Sequence, residues 1–141
     1  MNNNSENENY CGILADDLDF ESLITEKNEQ LFIRRILELL SEQKAEEIVF
    51  INVKSHTNIA DYLLICQGRS QLHCRSIAQN VEYNLKQAGK ISLGIEGERE
   101  GNWVLLDYGG FIVHVFDEET RGIYDLERLW NDCPRIEWQE D

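Results

Sequence analysis

The sequence predicts an α/β (α+β) domain, a mixed sheet of about five strands with helices packed on it. Three observations carry this reading. Phe32, Ile33, Ile36, Leu37, Leu39 and Leu40 recur with helical period. Three β-rich apolar runs, Ile48–Val53, Tyr62–Cys66 and Phe111–Phe116, are long enough for buried strands but too short for buried helices. Finally, Trp103–Leu106 and Phe111–Phe116 flank Asp107-Tyr108-Gly109-Gly110, a turn whose glycines accept positive φ, so the two runs read as a hairpin.

In chain order, residues 1–28 hold seven acids and one base, Lys27. They read as an acidic flexible leader, disordered in preference to forming a short helix near Phe20–Thr25. A helix starts at Glu29 and fades by Gln43–Ala45, and Ile48–Val53 follows as a strand. After the polar Lys54–Asn58, Tyr62–Cys66 is a second strand ending at Gly68. Ser70 is the expected N-cap of a long helix with Cys74, Ile77, Ala78, Val81 and Leu85 on its apolar stripe. That helix stops at Gly89. Ile91–Ile95 is a short strand, Glu96–Gly101 a charged loop, and the hairpin comes next. A helical turn near Glu118–Arg121 and a last short helix, capped by Asp125 and ending at Trp130, complete the domain. The two long helices are expected to cover one face of the sheet.

Alternation puts Trp103, Leu105 and Asp107 on one face of the hairpin and Val104, Leu106 and Tyr108 on the other. Both faces are apolar, so the sheet is either covered twice or waits for a partner.

The chain of 141 residues has room for one ordinary domain and carries a net charge of −14. That balance argues against a protein that grips nucleic acid by its phosphates and favours a basic protein partner. Cys11, Cys66, Cys74 and Cys133 form no CxxC pair and read as free thiols of a reducing, cytoplasmic compartment. The N-terminal residues lack the basic and apolar regions of a secretory signal, and no apolar run reaches the ~20 residues of a membrane span.

A catalytic reading rests on Gly68-Arg69-Ser70 at a strand-to-helix junction, where backbone amides hold phosphates. Glu96 and Glu98, one residue apart, would be the paired carboxylates for Mg²⁺ in a metal-dependent nucleotidyltransferase. Arg69 adds bulk where close backbone approach favours glycine, and the two acids lie in a glycine-flanked loop. No metal site is expected, since His56, His73 and His114 and the cysteines lack structural-zinc spacing. His114, among apolar neighbours, reads as a hydrogen-bonded structural histidine, and His73 as facing solvent or a helix end. A recognition patch of Trp103, Tyr108 and Asp107 beside the Gly-Gly turn fits better, Trp and Tyr being enriched at interface hot spots.

Several blocks occur together: Ala60–Cys66 with Gly68 and Ser70, Ile77-Ala78, Gly94–Gly97, Trp103–Gly109, Val113–Phe116 and Tyr124–Trp130. In this order they resemble the ribosomal silencing factor, or Iojap, family over about Glu29 to Trp130. The resemblance implies a nucleotidyltransferase-like fold without that activity, no cofactor, and binding to the large ribosomal subunit through large-subunit ribosomal protein fourteen. Bound there, such a protein blocks joining of the small subunit when nutrients are scarce; large-subunit maturation is also associated with the family. Carried over by position, the contact surface is Trp103, Leu105, Asp107, Tyr108 and Gly109, with Asp61 and Tyr62 on the neighbouring strand. Gly110 departs from the family, where that turn position is usually Asp or another polar residue. The domain is thus expected over 29–131, as monomer or homodimer, with 132–141 as an acidic C-terminal tail.

Overall fold

The computed structural model describes residue 24 and residues 26–139. Helix α1 (Lys27–Glu42) leads to β1 (Glu46–Asn52), β2 (Tyr62–Gly68) and the long α2 (Gln71–Gln87). Strands β3 (Gly94–Glu96), β4 (Trp103–Asp107) and β5 (Phe111–Asp117) follow, then α3 (Glu118–Tyr124), α4 (Leu126–Leu129) and β6 (Arg135–Glu137). The strands form one mixed sheet in the order β3-β4-β5-β2-β1-β6, in which β2 and β5 are parallel and every other neighbouring pair is antiparallel.

The sheet has six strands where the sequence suggested five. The sixth, β6, lies in the stretch read as an acidic tail, and Ile136 pairs with Phe50 and is fully buried. One apolar residue between Arg135 and Glu137 is too short a period to register as a strand. Only its edge position beside β1 makes it one. At the other end, the flexible leader over 1–28, with its alternative short helix near Phe20–Thr25, lies mostly outside the described residues. Ile24, within the stretch read as leader, is packed into the core.

The apolar stripes of α1 and α2 pack on one sheet face, meeting Ile48, Phe50, Tyr62, Leu64, Val104, Leu106, Val113 and Val115. Ser70 caps α2 as expected, its hydroxyl accepting from His73 N at 3.0 Å. Gly68 is required by packing: a Cβ there would stand 2.7 Å from Cys74 Sγ and 3.0 Å from Cys74 N. Two expectations shift. The short strand is Gly94–Glu96, leaving Ile91 and Leu93 exposed. Asp125 makes no side-chain cap; it takes a left-handed conformation, φ 49°, and ends α3 instead.

The opposite face carries a second apolar cluster of Val49, Ile51, Leu63, Ile65, Ile112 and Phe116. Leu126, Trp130 and Cys133 from the C-terminal segment pack against it. The apolar character of both faces therefore has two sources. One face is covered by long helices, and the other is covered in part by the chain's own C-terminal segment.

Candidate partner-binding face

The part of the second face on β4 remains half-open. Trp103, Leu105 and Asp107 point to it, and all three are half-buried. Antiparallel pairing sets Trp103 opposite Phe116, Leu105 opposite His114 and Asp107 opposite Ile112. Trp103 stacks on Phe116 at 4.9 Å between ring centroids and tilts against Tyr124 of α3 at 4.6 Å. Its indole Nε1 donates to His114 Nδ1 at 3.0 Å. Because Trp103 is already stacked and hydrogen-bonded, it is held in one orientation with part of its ring exposed, which suits a recognition anchor.

Tyr124, Phe116 and His114 were not among the contact residues carried over by resemblance. Counting across the turn would have placed Phe116 and His114, since hairpin register fixes opposite residues. Tyr124 belongs to a helix, and no local pattern connects it to β4. It is exposed, and with Ile123 and Leu129 it borders a shallow hollow.

The structure separates the other carried-over residues. Asp61 reaches the turn end of the hairpin, where its N donates to the O of Gly110, the residue after Gly109, at 2.8 Å. Tyr108 and Tyr62 point to the helix-covered face and are buried. Tyr108 stacks on Phe111 at 5.1 Å, and Tyr62 donates to Glu26 Oε1 at 2.8 Å. Moreover, β2 is not beside β4, because β5 lies between them. Alternation had already placed Tyr108 opposite Trp103. Reading both as one patch overrode that parity.

Asp107 has two duties. Its Oδ1 accepts from Gly109 N at 2.8 Å and holds the turn, while its residue is part-exposed on the open face. Gly109 takes φ +85°, as the turn needs. At Gly110 a Cβ would run into the Glu29 carboxylate, so an acid does stand beside this turn, supplied by α1. Burial raises the pKa of that half-buried Glu29 group.

His114 is the structural histidine that the sequence suggested. It is 6% exposed, and burial pulls its pKa down to about 4. Protonation would also remove the Nδ1 lone pair that Trp103 uses. Above pH ~6.5 the ring is neutral in both folded and unfolded chains. Between ~6.5 and 4 only the unfolded chain takes the proton, so stability falls as pH drops, by at most roughly 3 kcal/mol. Urea unfolding of wild type and His114→Gln across this range is expected to show a steeper acid loss in the wild type. Parallel curves would remove His114 from the acid response.

The strand-to-helix junction is filled by its own groups. Arg69 N donates to His73 Nδ1 at 2.9 Å, Ser70 Oγ takes His73 N, and Ser70 O takes Cys74 N. The His73 Nε2 edge meets Gln43 O at 2.7 Å, the helix-end position expected for that residue. Two of the amides at this junction, Arg69 N and His73 N, are thus engaged by its own side chains. Glu96 lies exposed on the edge strand, and Glu98 accepts from Gln79 at 3.2 Å. Among the described residues, no group of three or more His, Cys, Asp or Glu is placed to hold a metal ion. No helix there is long and apolar enough to cross a membrane.

The family described as "Ribosomal silencing factor during starvation" matches residues 25–141. The chain belongs to the ribosomal silencing factor family. It is 35% identical over 108 residues to "Ribosomal silencing factor RsfS" of Halalkalibacterium halodurans, covering 77% of this chain and 92% of that one. A mouse relative, "Mitochondrial assembly of ribosomal large subunit protein 1", is 30% identical over 101 residues, 70% of this chain and 44% of its own. A crystal structure of a Chromobacterium violaceum protein superposes with a TM-score of 0.71 at 29% identity, over 79% of this chain and 88% of that one. The silencing-factor match reaches past Trp130 to the end of the chain, in agreement with β6 being part of the sheet.

Proposed function

We propose that the protein is a non-catalytic, cytoplasmic silencing factor that docks on the large ribosomal subunit through large-subunit ribosomal protein fourteen. In that position it blocks small-subunit joining and damps translation when nutrients are scarce. The observation that carries the reading is the open aromatic ridge of Trp103, Leu105 and Tyr124, bordered by Asp107, on the sheet face that α1 and α2 leave uncovered. A rigid aromatic anchor with an acidic neighbour suits a basic protein surface, and the net charge of −14 steers the encounter.

A part in large-subunit maturation would need the same docking, and the name of the mouse relative favours keeping it as the second reading. Sedimenting the purified protein with separated subunits tests the main one. Co-migration with the large subunit, and fewer joined ribosomes once the small subunit is added, is the expected result. Failure to co-migrate at low salt overturns docking. Co-migration with undiminished joining leaves maturation as the reading.

Asp107 supplies a sharper test of charge. Asp107→Asn keeps an acceptor for Gly109 N but removes the charge, and it should slow association modestly and flatten its salt dependence. Asp107→Arg should weaken docking much further. Equal binding by both variants in a salt series would show that this acid faces no basic partner.

A further inference from the structure

At one side the sheet ends on β3, and the segment that leads into this edge strand carries two large apolar side chains in the open. Ile91 is 68% exposed and Leu93 75%. Leu93 N donates to Asp107 O at 2.7 Å, so the segment continues the edge beyond β3. Its side chain reaches the hairpin turn, where a Cβ added at Gly109 would stand 3.4 Å from Leu93 Cδ1. An exposed apolar sheet edge is a template for pairing with other chains, and folded proteins suppress it by covering or charging the edge.

The bases beside this edge bear on what covers it. Lys90 Nζ lies over the rings of Phe32 and Phe111, 5.6 and 5.8 Å from their centroids. Lys86 stands in the last turn of α2. Neither makes an ion pair among the described residues. In a chain of net charge −14, this patch is apolar with basic neighbours. Its complement is a segment that is apolar and acidic.

The chain carries such a segment. Residues 1–23, outside the described ones, hold Glu6, Glu8, Asp16, Asp17, Asp19 and Glu21 and neither Lys nor Arg, with Leu14, Leu18 and Phe20 beside the last four acids. They precede the family match, which begins at residue 25. They are also rooted close to the edge. Ile24 is packed in the core, and Glu26 is held by Lys54 Nζ at 2.7 Å and by the Tyr62 hydroxyl at 2.8 Å. From Lys27 to Phe32, whose ring meets Lys90, α1 rises only about 8 Å. An extended chain carries Phe20 up to about 14 Å from Ile24, Leu18 about 20 Å and Leu14 about 34 Å.

We propose that the leader folds back over this edge of its own chain, Leu18 and Phe20 resting on Ile91 and Leu93, with Asp17, Asp19 and Glu21 toward Lys86 and Lys90. Opposite charges steer the segment to the patch, and apolar contact holds it there. This strap closes the edge to other strands. It is independent of ribosome docking and is tested without ribosomes.

The test places a nitroxide on the leader of the full-length, isotope-labelled protein and reads the broadening of backbone amide signals. Ala15→Cys with Cys11→Ser supplies the attachment point, since Cys66, Cys74 and Cys133 are buried. Strong broadening at Lys90, Ile91 and Leu93, with little at Arg135–Glu137 on the far edge, is the expected result. Leu93→Asp changes an exposed side chain and keeps the backbone bond to Asp107, and Phe20→Ser lies outside the folded domain. Each should abolish the broadening at Ile91. Broadening that only falls away with distance from Ile24, or that survives both substitutions, overturns the strap. If instead a nitroxide-carrying copy broadens Ile91 of a nitroxide-free, isotope-labelled copy, the edge is covered by a second chain, and the assignment to the chain's own leader is overturned.

Discussion

Replacing Trp103 with alanine is expected to weaken large-subunit docking about 30-fold or more, the loss of ~2 kcal/mol typical of a hot-spot aromatic, while the domain stays folded. The fold survives because Trp103 is half-buried at the edge of the second cluster and not part of the core under the helices. Its removal leaves His114 Nδ1 without a donor and takes one of two stacked rings from Phe116, so a modest loss of stability accompanies the loss of docking. Tyr124→Ala separates the two effects. Tyr124 is exposed and touches Trp103 from α3, so it should weaken docking with little change in unfolding. Binding constants from sedimentation and midpoints from urea unfolding, taken on the same preparations, check both. Wild-type docking by a folded Trp103→Ala protein would remove the ridge from the interface.

The second large effect is on stability. Glu127→Ala should destabilise the fold by about 3–5 kcal/mol, because Arg121 would keep its charge in a buried place with two more donors unsatisfied. The double replacement Arg121→Met with Glu127→Leu should come close to wild type, since a buried ion pair replaced by apolar groups of similar volume is often neutral or better. Chemical unfolding of the three proteins gives the comparison. A Glu127→Ala midpoint near wild type would mean that solvent reaches Arg121 freely enough to screen it.

Much of this architecture was legible because its signals are local. A helix shows in the period of Ile33, Ile36, Leu37 and Leu40, and in the hydroxyl of Ser70 before α2. The hairpin shows in two apolar runs about a Gly-Gly turn, and face assignment along β4 follows from the two-residue repeat alone. The family was also readable from short blocks kept in order along the chain. What could not be read locally depends on which strands become neighbours. Arg135–Glu137 became a strand by sitting beside β1, and Tyr62 was separated from the β4 face by the insertion of β5.

By itself, then, the sequence determined the helices, the hairpin, the acidic character and the identity of Trp103, Leu105 and Asp107 as one face. Tertiary structure alone decided that α1 and α2 cover Tyr108 and that Tyr124 joins Trp103. It also decided that Arg121 and Arg135 meet through Glu127. The physical reason is range. Backbone hydrogen bonding and side-chain period act between residues a few positions apart, whereas a contact between distant residues exists only once packing has chosen which surfaces lose water together.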